Sequence, residues 1–189
     1  MEERFWRVHL DVLRGRDISY AVPEINMLFH STVLRPEVIN PLREVMFLWY
    51  GGPGKLLKGR TVLEVACGPG YETEHLLRLA GGDCRIIAMD FFPEVLGLAK
   101  LHVIEWEGRK VKLEDMPQVE FVLADPEFKE PWPVEDGSVD TVTLIGVLHW
   151  TWRIREMFGE AHRVLKPGGV LVGLEFGKKG PGPTVVDAM

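Results

Sequence analysis

After residue 60 the sequence settles into one alternation, in which short apolar runs are separated by stretches of helical spacing. The runs are TVLEVA (61–66), CRIIAMD (84–90), EFVLAD (120–125), VDTVTLIGV (139–147) and VLVGLEF (170–176). Apolar runs of this length read as strands buried on both faces. Residues 71–80 read as a helix stopped by Gly81-Gly82, and Pro93 opens another with Val95, Leu96, Leu98, Ala99 and Val103 inward. Ile154, Met157, Phe158, Ala161 and Leu165 share a third helical stripe, after which Lys166-Pro167-Gly168-Gly169 turns into the last run. Strands joined through helices cross over right-handedly and lie parallel. The expected fold class is α/β, a doubly wound, mostly parallel sheet of about five strands preceded by helices.

Three segments follow from this pattern: 1–57 as an N-terminal helical cap, 58–177 as the sheet domain, and 178–189 as a loose Gly- and Pro-rich tail. In the cap, Phe5, Val8, His9, Val12 and Leu13 follow helical spacing, and residues 21–31 suit a short helix. Pro36 opens a helix whose stripe is Val38, Ile39, Leu42, Val45, Met46 and Trp49, ended by Gly51-Gly52. No apolar run approaches the roughly 20 residues of a membrane span, and the charged N-terminus MEERFWRVHLDVLRGRD is unlike a signal peptide. Cys67 and Cys84 lack metal-ligand spacing, so a reduced, cytoplasmic protein is expected. A net charge of −6 argues against nucleic acid as partner.

Ligands of open α/β sheets bind outside the carboxyl ends of the strands. The first run ends in Cys67-Gly68-Pro69-Gly70 with Glu64 just inside it. The second ends in Asp90, the third in Asp125, and the fourth in Gly146-Val147-Leu148-His149-Trp150. A glycine turn between strand and helix lets a ligand lie on the backbone beside the helix N-terminus. Asp90 stands 20 residues after Gly70, where an acid can accept both hydroxyls of a ribose. An acid at the third tip could accept an exocyclic amine, as adenine has. Together these are parts of an adenosine site. Thr73 breaks the dinucleotide pattern G-x-G-x-x-G, and no G-K-[ST] follows a glycine loop. Glu64 fits badly beside a pyrophosphate and suits an ammonium or sulfonium, which points to S-adenosylmethionine.

Over residues 58–177 the sequence resembles a class I S-adenosylmethionine-dependent methyltransferase. LEVACGPG resembles the family's first motif, LDVGCGTG, with Glu64 at its acid and Ala66 replacing its first glycine. MDFFPEVLGLAK resembles the ribose-binding segment, which implies that Asp90 holds the hydroxyls and Phe91 packs on adenine. FVLADPEFKEPWPVEDGSVDTV is similar to the third-strand acid and the turn after it, and HRVLKPGGVLVGLEF to the approach to the fifth strand. RVLKPGG with LEFGKK is similar to the quinone C-methyltransferases and neighbouring small-molecule enzymes. The resemblance implies a Rossmann-like sheet ordered 3-2-1-4-5 and a cofactor held by Glu64, Ala66, Gly68, Gly70, Asp90, Phe91, Asp125, Pro126 and Gly146. It implies an acceptor site in the N-terminal segment, whose apolar and aromatic content suits a small, hydrophobic acceptor. His149, at the fourth strand end, is the candidate base by position and by the ordinary imidazole pKa. Pro126 departs from the pattern, because it has no N–H to offer adenine. Related chains continue past the fifth strand with a helix and two more strands. An apolar fifth strand at the edge would be a pairing hazard, which a partner subunit (as in a homodimer), the N-terminal segment or the tail should cover. The alternative function is a non-catalytic cofactor-binding subunit, or a truncated enzyme that needs a partner chain.

Overall fold

The structure is a computed structural model, and it describes residues 36–125, 128–148, 151, 153–177 and 180–184. In chain order the elements are α1 (Pro36–Trp49), α2 (Pro53–Leu56), β1 (Arg60–Val65), α3 (Tyr71–Ala80), β2 (Cys84–Asp90) and α4 (Pro93–Leu101). After these come β3 (Val103–Trp106), β4 (Arg109–Lys112), β5 (Val119–Leu123), β6 (Val139–Ile145), α5 (Ile154–Val164), β7 (Leu165–Gly177) and β8 (Gly180–Thr184). A single 3-10 turn, Leu113–Asp115, leads into β5. The main sheet runs β5-β2-β1-β6-β7-β8, parallel throughout except for the antiparallel β7–β8 pair.

Alternation along the strands divides the core in two. Val62, Ile86, Ala88, Val172 and Leu174 face α1, α2, α3 and α4, where Met46, Phe47, Leu76, Leu77 and Ala99 are buried with them. Leu63, Ile87, Met89, Val142 and Leu171 face the other way and are covered by Met157, Ala161 and Val164 of α5. The β5–β6 crossover carries no helix among the described residues. There Trp132, 2% exposed, and Val134 cover the sheet instead.

The structure corrects the sequence reading in three places. The helix from Pro93 ends at Leu101, and Val103 is exposed because it begins a β3–β4 hairpin. Glu107 and Gly108, both at positive φ (49° and 74°), make the two-residue turn that matches strand twist. On α1 the buried residues include Arg43, Met46 and Phe47, while Val45 and Trp49 of the expected stripe are exposed. Met46 and Phe47 therefore serve the core, at about 1.5–3 kcal/mol each. Finally, part of the expected loose tail forms β8, which supplies hydrogen-bond partners along the edge of β7. Pro181 and Pro183 are tolerated there because an edge strand needs only alternate N–H groups for its one neighbour. With that edge covered, the argument for a homodimer across it loses its basis.

Candidate cofactor site

The β1–α3 turn is built from positive-φ residues at alternate positions: Ala66 (57°), Gly68 (59°) and Gly70 (92°). The turn is tied down from both sides. Cys67 donates its N–H to Met89 O at 2.9 Å, and Gly68 donates to Asp90 Oδ2 at 2.9 Å. What approaches Gly70 most closely is the chain itself. A Cβ there would lie 2.8 Å from Leu113 Cδ1 and 3.3 Å from the Cα and O of Ala99. Gly70 is thus required by the packing of α3 against α4 and the 3-10 turn, a structural role the sequence did not suggest.

Asp90 is 4% exposed at the tip of β2. Besides Gly68, it accepts the N–H groups of Phe91 (2.8 Å) and Phe92 (3.1 Å) on Oδ1. Burial pushes its pKa up to about 6 despite those three donors. The carboxylate therefore holds the glycine turn and the β2 tip together, and Oδ2, with one donor, has room for another. Phe91 begins a ladder of rings, 5.8 Å to Phe128 and 6.2 Å from there to Trp132. Arg163 of α5 fastens the end of that ladder, donating to Trp132 O (3.0 Å), Val134 O (2.9 Å) and Glu160 (2.7 Å), and pairing with Asp136. Asp125 Oδ2 accepts the Lys129 N–H at 2.9 Å. Gly146 is at the end of β6 as expected, but its N–H is taken by Leu174 O at 2.7 Å, so it offers a ligand no donor. His149 and Pro126 lie outside the described residues, as do Trp150, Trp152 and residues 1–35 of the cap.

Glu64 lies inside the sheet, on the face of Val62 and beneath α1 and α3. It is 2% exposed. Thr73 donates its hydroxyl to Oε2 at 2.6 Å, while Oε1 has no hydrogen-bond partner among the described residues. Burial holds its pKa well above the usual carboxylate range, and the neighbouring Glu72 raises it further. Glu72, in the first turn of α3, is ion-paired with Arg43 of α1, and both are buried. Neither residue was singled out by sequence reasoning. Arg43 sits one position off the apolar stripe, and an acid in the first turn of a helix ordinarily reads as a solvated cap. Tyr71 packs edge-on against His102 at 4.7 Å.

Glu64 and Glu72 present buried carboxyl oxygens without hydrogen-bond partners among the described residues, and Asp90 Oδ2 keeps accepting capacity beside the Phe91 ring. The donor set fits S-adenosylmethionine, because the unpartnered buried oxygens call for positive charge. Comparison with known proteins agrees. The family described as "Methyltransferase domain" matches residues 63–173, more than half of the chain. The ubiquinone/menaquinone biosynthesis C-methyltransferase UbiE of Brucella canis is 29% identical over 161 residues, covering 80% of this chain and 55% of its own length. The chain thus spans about half the length of the curated relatives it matches. Among solved structures, an S-adenosylmethionine-dependent methyltransferase from Aquifex aeolicus superposes with a TM-score of 0.54 at 23% identity, covering 75% of this chain and 73% of that one. A complex between the Haloferax volcanii Trm112 methyltransferase activator and a methyltransferase gives 0.58 at 20% identity, covering 85% of this chain and 61% of that one. On the family match and the shared sheet, the chain belongs to the class I S-adenosylmethionine-dependent methyltransferases.

Proposed function

We propose that the chain transfers the methyl group of S-adenosylmethionine to a small, hydrophobic molecule, with the cofactor lying across the carboxyl ends of β1, β2 and β5. The observation that carries this reading is the buried, half-satisfied Glu64 carboxyl next to the glycine turn, which suits a cationic ligand and disfavours a phosphate. In this arrangement Glu64 faces the cationic end of the cofactor and Asp90 takes the ribose hydroxyls. Phe91 stacks on adenine, and Asp125 takes its exocyclic amine. Backbone at Ala66 and Gly68 shapes the floor, while Gly70 acts through packing.

When bound, the cofactor supplies a methyl group on a positively charged sulfur. The chain's own contribution is alignment and exclusion of water, since an in-line displacement that disperses charge needs little else. His149, four positions after Ile145 in the sequence, is the residue to hold a proton if the acceptor must lose one. The hydrophobic acceptor is supported by the relative named for ubiquinone and menaquinone biosynthesis. A cytoplasmic location belongs to the same proposal. It is supported by two free cysteines, and no helix among the described residues is long and apolar enough to cross a membrane.

The test is incubation of the chain with methyl-labelled cofactor and a panel of quinol, phenol and amine acceptors. Label in a quinol-type product, with matching S-adenosylhomocysteine, supports the reading. Binding of the cofactor without turnover of any acceptor would favour a non-catalytic binding subunit.

A further inference from the structure

The cofactor reading uses the charged cluster under α1 and α3 only through Glu64. Glu64, Glu72 and Arg43 are 2%, 4% and 2% exposed, so two carboxyls share one guanidinium out of water. That guanidinium is engaged on two sides, by Glu72 and by Asn40 Oδ1 at 2.8 Å. Glu64 Oε1 and Glu72 Oε1 have no hydrogen-bond partner among the described residues. Nor does Thr143 Oγ1, which the β1–β6 register sets beside Glu64 on the same face. Two buried carboxylates with so few donors cannot both stay ionised cheaply.

The other titratable groups near Glu64 do not supply the missing charge. His75 of α3 is kept neutral by burial and by Arg43, with its pKa lowered to about 4. Cys67 in the turn is raised by burial, and Asp90 of β2 adds repulsion when ionised.

We propose that Glu64 and Glu72 hold a shared proton in the ligand-free chain and release it when a cationic ligand enters beside them. Glu72 is then a positioning residue of the binding site, and cofactor binding is coupled to proton release. The inference rests on the cofactor reading above. Its sign follows from linkage. Burial raises both carboxyls, so the free cluster keeps its proton through a window above the ordinary glutamate range. A nearby cation favours the ionised form, so affinity rises with pH by up to about tenfold per unit within the window.

The experiment is calorimetric titration of the full chain with S-adenosylmethionine and with 5′-methylthioadenosine, each in phosphate and in Tris buffer. The second ligand carries the same adenosine and sulfur but neither positive charge. Both ligands present the same ribose to Asp90, so Asp90 cancels from their difference, and the Glu72→Gln chain assigns what remains to the cluster or to the ligand's own amine and carboxylate. The expected result is about one more proton released by the cationic ligand, with at least half of that excess lost in Glu72→Gln. In the unmodified chain, affinity for S-adenosylmethionine relative to the neutral ligand should also rise with pH above the ordinary carboxylate range. Equal proton release by the two ligands, or a pH-independent affinity ratio, overturns the coupling and leaves the cofactor site standing. A folded chain that binds neither ligand overturns the cofactor reading, and the coupling with it.

Discussion

Replacing Gly70 with alanine separates two reasons a glycine can stand in this turn. If a ligand needed the space, the ligand-free chain would tolerate a methyl group and lose only binding. The structure gives a different answer. A left-handed backbone costs an L-residue about 1–2 kcal/mol, and Gly70 has φ of 92°. The new Cβ would lie 2.8 Å from Leu113 Cδ1, which can give, and 3.3 Å from the Ala99 backbone, which cannot. Overpacking of that kind costs about 1–3 kcal/mol. Against this, alanine restricts the unfolded chain and returns about 0.4–1 kcal/mol. The net is about 3 kcal/mol of lost stability, or roughly 6–12 °C in Tm for a domain of this size. Urea and thermal melts of the ligand-free chain measure it. Leu113→Ala provides a cycle, since in that background Gly70→Ala should cost about 1 kcal/mol less. A ligand-free Gly70→Ala chain melting within about 1 °C of the unmodified one would refute the packing argument.

Three further outcomes are expected. Asp90 has its folded pKa raised to about 6, against 3.8 as its ordinary value. Its contribution to ligand-free stability is therefore full below the ordinary value and lost as pH rises through about 6, a change of up to about 3 kcal/mol. Melts across that range should show the fall in the unmodified chain and a flatter profile in Asp90→Asn. Arg163→Ala removes donors to two backbone carbonyls and Glu160. It should cost about 2 kcal/mol and expose Trp132 to quenching by acrylamide, with Arg163→Lys intermediate. Arg43→Ala leaves Glu72 buried without its partner, and should cost about 3 kcal/mol or more, with Glu72→Gln in the same background recovering part of the loss.

The sheet was legible because its strands are buried on both faces, so each is an uninterrupted apolar run between punctuating glycines and prolines. The order of motifs at the strand ends likewise marks Glu64 and Asp90 as acids at the carboxyl edge of the sheet, where the structure has them. The hairpin over Val103–Lys112 is hidden in the sequence because Val103 continues the helical spacing of Val95 and Ala99, and Glu107-Gly108 is a weaker turn signal than Asn-Gly. Position 43 reads as a solvated arginine, since no periodicity reveals that a charge will be buried opposite Glu72. In the sequence Gly70 reads as a place for a ligand, because its neighbours Ala99 and Leu113 arrive from about 30 to 40 residues away. Gly146 marks the strand end correctly, but which group takes its N–H depends on β7.

The central claim is that Glu64, Asp90 and the glycine turn hold S-adenosylmethionine. Calorimetric titration of the purified chain with that cofactor, beside a melt showing the chain is folded, tests it most directly. Saturable one-to-one binding in the micromolar range, strongly weakened in Glu64→Ala, is the expected result. A folded chain that gives no heat, or a Glu64→Ala chain that binds as the unmodified one does, would contradict the account.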